Sequence, residues 1–163
     1  MVFDCGKERC ISYYLEYLIL IAMFGKNSLN IRLKGITNDS YDSSVDTIQQ
    51  HLIPLLKVHY EFDNELSMKI TKRGYLPEGG GEIHIVVPTI RKLKQVNITE
   101  KGYVKRIRGV CAGSKISTSL LNEVKDQCKN IFLNYIPDVW IYTDFFKGDK
   151  GSISPGYSLS LKA

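Results

Sequence analysis

The spacing of apolar residues predicts alternating helices and strands along the chain. Apolar residues that recur every three or four positions predict helices over 8–24, 44–57 and 117–135. Alternation of apolar and polar residues predicts strands over 29–35, 66–72 and 82–87, and further strands are expected over 138–146 and 157–163. This order predicts an α/β (α+β) fold, a two-layer arrangement in which helices cover one face of an open sheet.

The predicted helix over 44–57 carries two local signals. Ser43 and Asp46 fit the Asp variant of a capping box at its start. Pro54 lies inside the helix, and because proline removes a hydrogen bond and crowds the carbonyl four residues back, we expect a kink or a break there. The side chains expected to face the core are Val45, Ile48, Leu52, Leu55 and Leu56. In the helix over 117–135 they are Leu120, Leu121, Val124, Cys128, Ile131, Phe132 and Tyr135.

The composition is that of a folded protein with a buried core. The chain has 163 residues, of which 44% are hydrophobic and 24% charged, and these values lie in the ordinary globular range. Its longest apolar run, over 17–24, is far short of the roughly 20 residues of a membrane helix and lacks the flanks of a signal peptide. We therefore expect no membrane partner. The stretch 88–95 is the expected boundary between two α/β units, 1–90 and 91–163.

The four cysteines predict free thiols in a reducing, intracellular compartment. They are Cys5, Cys10, Cys111 and Cys128, and they have neither C-x-x-C spacing nor the density of a disulfide scaffold. Cys128 lies on the apolar face of a predicted helix, where a thiol behaves as a small hydrophobic group.

Positive charge is concentrated between residues 91 and 115. The net charge of the whole chain is +5. This basic segment contains a single acid, Glu100, and eight bases: Arg91, Lys92, Lys94, Lys101, Lys105, Arg106, Arg108 and Lys115. With Tyr103 as a stacking surface, the segment is a candidate nucleic-acid contact whose affinity would fall with salt. The alternative is a solvated surface that only keeps the protein soluble.

Three consecutive glycines lie between two predicted strands, in the stretch KRGYLPEGGGEIHI at 72–85. They are not a Walker A loop, because the Gly-Lys-Ser/Thr ending is missing and a strand follows where that loop requires a helix. Two interpretations stay open. One is a bulge or tight turn that needs φ > 0. The other is an anion-binding nest of backbone N–H groups beside Lys72 and Arg73, which the negative charge of Glu78 opposes.

The remaining polar residues predict neither a catalytic site nor a metal site. His51, His59 and His84 are isolated, with no spacing that would bring two of them onto one metal. Asp42 and Asp46 are explained by a turn followed by the start of a helix.

A longer pattern around the glycines resembles a family signature. Residues 73–83, RGYLPEGGGEI, resemble the R-G-x-x-P-x-G-G-G-x-hydrophobic signature of the RNA 3'-terminal phosphate cyclase family, through Arg73, Gly74, Pro77, Gly79, Gly80 and Gly81. Other stretches agree with the family in order along the chain: DCGKERCISYYLEYLILIAMF, LNIRLKGITND, SVDTIQQHLIPLLK, VKRIRGV, IPDVWIYTDFFKG and SPGYSLSL. The last two resemble most the cyclase-like branch, the nucleolar ribosome-biogenesis proteins.

The resemblance implies a fold and a place within a longer protein. It implies that 1–90 is one core repeat of a sheet with two helices, and that 91–163 is part of an inserted α/β domain of thioredoxin-like topology. The family is longer at both ends, so the chain is expected to be an internal piece. The histidine that ATP adenylylates in the cyclases would lie beyond Ala163, so no residue here inherits a catalytic role.

The resemblance also implies a function. We expect a non-catalytic factor of nucleolar pre-rRNA processing and small ribosomal subunit biogenesis, located in the nucleus and nucleolus. Its expected partners are pre-ribosomal RNA and a ribosome-biogenesis GTPase of the small-subunit processing complex. The candidate RNA contacts are Arg91, Lys92, Lys94, Lys105, Arg106 and Arg108, and no cofactor is expected.

Two alternatives belong to other classes. One is an ATP-dependent RNA 3'-terminal phosphate cyclase that forms 2',3'-cyclic phosphate ends, which alone would require ATP and magnesium. The other is a protein-interaction module whose basic face only keeps it soluble.

Overall fold

The computed structural model describes residues 1–60, 66–92, 95–97, 99–100, 102–148 and 151–163. Its strands are β1 (Val2–Asp4), β2 (Leu29–Gly35), β3 (Ser67–Lys72), β4 (Gly81–Val87), β5 (Ile107–Ser114), β6 (Val139–Phe146) and β7 (Gly156–Lys162). Its helices are α1 (Ile11–Met23), α2 (Val45–Thr47), α3 (Ile53–Tyr60) and α4 (Thr118–Leu133), with a π-helical turn, Ile48–Leu52, between α2 and α3.

The first sheet has the strand order β1-β2-β4-β3. Strands β2 and β4 are antiparallel from Leu29 opposite Val87 to Gly35 opposite Gly81. Strand β3 pairs antiparallel with β4, so the predicted pairing across the glycine-rich loop is confirmed. Strand β1, parallel to β2, was not predicted, because three exposed residues are too few to set up an alternating pattern.

Both helical segments of the first half cover the same face of this sheet. Buried side chains of α1, such as Leu15 and Ile19, form one hydrophobic core with Leu33 of β2 and Ile83 of β4. Alternate residues of β2 and β4 point into this core, and the residues between them face the other side. This is the predicted arrangement of helices on one face of a sheet.

Pro54 changes the geometry of the second helical segment without ending it. The helix continues to Tyr60, and the predicted kink takes the form of the π-helical turn before the proline. A π turn holds more residues than an α turn, so the buried face shifts along the sequence. Ile53 is therefore buried, whereas Leu55 is 39% exposed, and the prediction that Leu55 faces the core was wrong.

The second sheet has the strand order β6-β5-β7, with β6 parallel and β7 antiparallel to β5. Helix α4 covers one face, where Leu121 and Cys128 pack against Ile107 and Val139. Its buried face is narrower than predicted, because Leu120, Ile131 and Tyr135 are exposed. The two hydrophobic cores share no residue; the division into domains at 1–90 and 91–163 stays a prediction.

The four cysteines are buried and free. Cys128 packs in the core beneath α4, as its helical position predicted. Burial raises the pKa of the Cys5 and Cys10 thiols to about 11, because a low-dielectric interior disfavours the thiolate. These thiols are therefore protonated packing groups.

Candidate functional site

Arg73 of the signature is a buried structural charge. Its side chain is 1% exposed; Nη1 donates to Asp46 Oδ2 at 2.6 Å, and Nη2 donates to Asp46 Oδ1 at 2.7 Å. Nη2 also donates to Asp144 Oδ2, at 2.7 Å. Burial acts to lower the pKa of Arg73, but the hydrogen bonds and charges of Asp46 and Asp144 outweigh it and raise that pKa above its usual value. Because both carboxylates occupy the guanidinium, Arg73 cannot also bind an anion at the glycines. This removes Arg73 from the anion-binding nest that the sequence left open.

Asp46 has a different role from the one predicted. Ser44 is the N-cap of α2, and its Oγ accepts a hydrogen bond from the Thr47 N–H at 3.1 Å. The Asp46 carboxylate is 2% exposed and accepts from Arg73 and, at 3.1 Å, from Asn38 Nδ2. The capping box with Ser43 was therefore wrong, because Asp46 faces the buried guanidinium. The capping-box pattern describes only neighbouring residues, so it could not predict that Asp46 binds Arg73, which lies 27 residues away.

The glycines of the signature form a tight turn. The Gly79 N–H donates to the Tyr75 carbonyl at 2.8 Å, and Gly79 and Gly80 have φ values of +68° and +83°. These values lie in the region that glycine adopts without strain, which confirms the turn interpretation. Gly74 and Gly81 are needed for close packing, since a Cβ on Gly74 would lie 2.3 Å from the Gly81 nitrogen. Pro77 is exposed at the tip of the turn.

The turn binds the segment 151–156, which precedes β7. Ser152 Oγ accepts from the Tyr75 N–H at 2.8 Å and donates to the Gly79 carbonyl at 3.1 Å. Ser154 Oγ accepts from the Glu78 N–H at 3.0 Å. A Cβ on Gly80 would lie 2.7 Å from the Ile153 side chain. The signature turn thus anchors the segment that leads into β7, a role that no pattern in the sequence predicted.

Further polar contacts join the second sheet to the helical segment 45–60. Gln50 Nε2 donates to the Tyr142 hydroxyl at 3.0 Å, and Ser44 and Ser160 share a hydrogen bond of 2.7 Å. Lys162 Nζ donates to the Gln50 carbonyl at 2.6 Å. In an α-helix the Gln50 carbonyl would accept from the N–H of residue 54, but Pro54 has no N–H. Lys162 supplies a hydrogen-bond donor to this carbonyl in its place. The face of the second sheet opposite α4 therefore packs on the first half of the chain.

A cleft of about 670 Å³ opens beside these contacts, between α3 and the irregular stretch that leads into β5. Lys105, Arg106 and Arg108 line it, as does Lys162. Tyr103 also lines the cleft and is 88% exposed. The structure thus brings together three of the predicted RNA contacts, an aromatic ring and one further cation. Lys162 was missed because it lies 54 residues or more along the chain from the other cations.

The other members of the basic segment are placed differently. Arg91 and Lys92 are exposed but do not line the cleft, and Lys94 lies outside the described residues. The guanidinium of Arg108 binds both carboxylate oxygens of Asp138 at 2.8 Å. That hydrogen bonding lowers the pKa of Asp138 and orients Arg108 at the edge of the cleft.

The two histidines whose side chains the structure describes, His51 and His84, lie apart from each other. His84 Nε2 shares a hydrogen bond of 2.8 Å with Asn30 Oδ1, and His51 is exposed at the cleft; the side chain of His59 lies outside what the structure describes. Among the described residues, no group of three His, Cys, Asp or Glu side chains is arranged to hold a metal ion. The described helices include none with the length and hydropathy of a membrane span.

Comparison with known proteins confirms the resemblance. The family model for RNA 3'-terminal phosphate cyclase matches residues 1–150. A probable RNA 3'-terminal phosphate cyclase-like protein of Arabidopsis thaliana is 41% identical over 163 residues, which is 100% of this chain and 44% of the relative. The cyclase-like protein of Mus musculus is 43% identical over 98% of this chain and 43% of its own length.

A third relative carries a more specific name. An rRNA processing protein of Schizosaccharomyces pombe is 35% identical over 100% of this chain and 45% of its own length. The chain thus spans less than half the length of these relatives. Its sequence, its mixed α/β architecture and the family match agree, and the chain belongs to the RNA 3'-terminal phosphate cyclase family.

Proposed function

We propose that the whole protein is a non-catalytic cyclase-like factor of pre-rRNA processing and small ribosomal subunit biogenesis, and that this part of it contacts RNA. The observation that carries the proposal is the identity of 41% to 43% with cyclase-like proteins over nearly the whole chain. The relative named as an rRNA processing protein supports the same role. In this proposal, residues 91–163 are part of the inserted domain of thioredoxin-like topology.

The proposed RNA contact is the basic segment, through the side chains that line the cleft. Lys105 and Arg106 are exposed, and Arg108 is held by Asp138 at the rim. Cations in this arrangement bind the phosphate backbone without reading base identity. Arg91, Lys92 and Lys94 extend the proposed contact along the same segment.

Affinity for RNA across a salt series tests this contact. The chain should bind a structured RNA with an affinity that falls steeply with salt, because phosphate contacts release counterions. Lys105→Ala with Arg106→Ala should weaken binding about equally for different RNA sequences and reduce the salt slope by roughly 1 for each cation removed.

A matched variant controls for the change in net charge. Lys26→Ala with Lys69→Ala removes the same charge from exposed positions outside the cleft and the basic segment. Binding that is absent, or that is indifferent to salt, contradicts the RNA contact. An equal loss of affinity in both double variants would show that only net charge matters.

The proposed partner and location need the whole protein. We propose that it acts in the nucleolus with a ribosome-biogenesis GTPase of the small-subunit processing complex, and that no cofactor is bound in this part of the chain. Nucleolar fluorescence and recovery of that GTPase with the tagged whole protein are the expected results. Exclusion from the nucleus would contradict the proposal.

The family match itself favours a second candidate, an ATP-dependent RNA 3'-terminal phosphate cyclase. In that case ATP and magnesium would be required, and the nucleophilic histidine would lie outside residues 1–163. Incubation of the whole protein with ATP labelled in the α-phosphate decides between the two functions. Stable covalent AMP would overturn the non-catalytic proposal, and its absence under conditions that label a known cyclase would support it.

A further inference from the structure

Trp140 is the one tryptophan of the sequence, and it is 65% exposed on a strand of the second sheet. That strand, β6, pairs with β5, and β5 pairs in turn with β7, which places Arg108 opposite Trp140 and Lys162 opposite Arg108. Residues that are paired across adjacent strands point to the same face of a sheet. Trp140, Arg108 and Lys162 therefore form one row across three strands, referred to below as the exposed row.

The exposed row lies on the face of the sheet that packs on the first half of the chain, next to that contact. The adjacent row on the same face contains Tyr142, Val110 and Ser160. Tyr142 and Ser160 are tied to Gln50 and Ser44 by hydrogen bonds, and Val110 is 1% exposed. This row thus contacts the first half of the chain, although Tyr142 is still 48% exposed, and Trp140 is more exposed, at 65%.

The exposed row borders the basic cleft, because Arg108 and Lys162 belong to both. The indole of Trp140 offers a flat apolar surface to a ligand, and the cleft offers cations. The exposed ring of Tyr103 also lines the cleft. Aromatic rings beside a positively charged groove are the elements that bind single-stranded nucleic acid, where bases stack on rings and phosphates meet cations. A peptide would be matched less well, because its backbone is uncharged.

We propose that the exposed row and the cleft form a single-strand RNA subsite in which one unpaired base stacks on Trp140 while the flanking phosphates contact Arg108 and Lys162. This inference rests on the proposed RNA contact and adds to it a preference for unpaired nucleotides. A duplex keeps its bases stacked inside the helix, so it would use the cations of the cleft without using Trp140.

Tryptophan fluorescence tests the subsite directly, since Trp140 alone supplies the signal. A titration of the 163-residue chain with a single-stranded oligoribonucleotide should quench its emission, whereas a duplex of equal length should leave it nearly unchanged. Trp140→Ala should weaken single-strand binding roughly tenfold, the scale of one base stack, and leave duplex affinity unchanged. Trp140→Phe should keep part of the single-strand affinity.

Controls separate this inference from the proposed RNA contact. Tyr41→Ala removes another aromatic ring that is 87% exposed and should not alter binding; circular dichroism confirms that each variant folds. Salt-dependent RNA binding that is indifferent to Trp140→Ala and leaves the fluorescence unchanged would overturn the subsite but keep the RNA contact. Absence of all RNA binding would overturn both. An acidic peptide that binds as tightly as RNA and needs Trp140 would reassign the row to a protein partner.

Discussion

Arg73 and Asp144 are joined by a hydrogen bond of 2.7 Å that links the signature loop of the first sheet to strand β6 of the second. The same guanidinium is bound on its other side by Asp46, at the start of the second helical segment. One buried cation therefore holds three elements that are distant in sequence. The signature of the family has, in this chain, a structural role at the contact between its two sheets.

Arg73→Ala should destabilise the chain strongly. Removal of one partner from a buried ion pair leaves an uncompensated charge, here on Asp46, at a cost of about 3–5 kcal/mol in the free energy of unfolding. Urea denaturation measures this change. Arg9→Ala is the matched control, because Arg9 also forms an ion pair but is exposed at 45% of its side chain, and its effect should be far smaller. Equal effects of the two variants would contradict the role given to Arg73.

Asp144→Asn should loosen the contact between the sheets more than it destabilises either core. The Asp144 side chain is 33% exposed, against 2% for Asp46, so solvent screens it and its loss should cost less than Asp46→Asn. Amide hydrogen exchange should accelerate in β6 and β7 while β2 and β4 keep their protection. Uniform acceleration in both sheets would show that Asp144 stabilises the chain as a whole.

Three glycine substitutions should separate backbone strain from steric contact. Gly80→Ala combines a φ of +83° with a contact of 2.7 Å to Ile153, so it should destabilise most. Gly156→Ala has the contact alone, with Tyr75 at 2.5 Å, and Gly148→Ala has only its φ of +58°.

Thermal denaturation ranks these variants, with Gly102→Ala as the neutral control, since nothing lies within 4 Å of its added Cβ. Ile153→Ala should relieve part of the destabilisation in Gly80→Ala. A Gly80→Ala variant as stable as Gly102→Ala would contradict the packing of segment 151–156 on the signature turn.

Lys162→Met should be more destabilising while Pro54 is present than after Pro54 is replaced. The variant leaves the partly buried Gln50 carbonyl without the donor that lies 2.6 Å away, and such an acceptor that loses its partner costs about 1 kcal/mol, the low end of the range for buried groups. Pro54→Ala supplies the missing N–H, so Lys162→Met should cost less in that background. A double-mutant cycle by urea denaturation measures the coupling; additive effects would contradict it.

Alkaline pH should destabilise the chain through its buried thiols. The folded pKa of Cys5 and Cys10 is raised from 9.0 to about 11, primarily by burial. A raised folded pKa gives a contribution to stability that is fully present below the unfolded value and is lost as pH rises through the folded one. Stability should therefore decline between pH 9 and 11.

The measurement is urea denaturation at several pH values, with Cys5→Ala combined with Cys10→Ala as the comparison. This double variant should lose less stability over the same pH range. Native thiols should also react slowly with a maleimide near neutral pH and rapidly in urea. Rapid labelling of the native chain would contradict the burial of these residues.

The repeating apolar patterns were enough to predict most of the secondary structure, because helices and strands are formed by neighbours in sequence. Strand β2 matches its predicted range, and α1 and α4 end within a few residues of theirs. The pattern over 44–57 failed at Leu55, because the π-helical turn shifts the buried face in a way that a fixed period does not describe. The signature at 73–83 was also sufficient to predict the family, which the comparison confirmed.

The role of the signature residues was decided by the tertiary structure alone. Arg73 meets partners 27 and 71 residues away, and Tyr75 meets Ser152 at a separation of 77. Lys162 joins the cleft of Lys105 and Arg106 in the same way, across the strand pairing of β5 and β7. Sequence patterns determine which residues become buried or exposed within an element. The partner of a buried charge depends on how elements pack, since that packing brings distant residues within hydrogen-bonding distance.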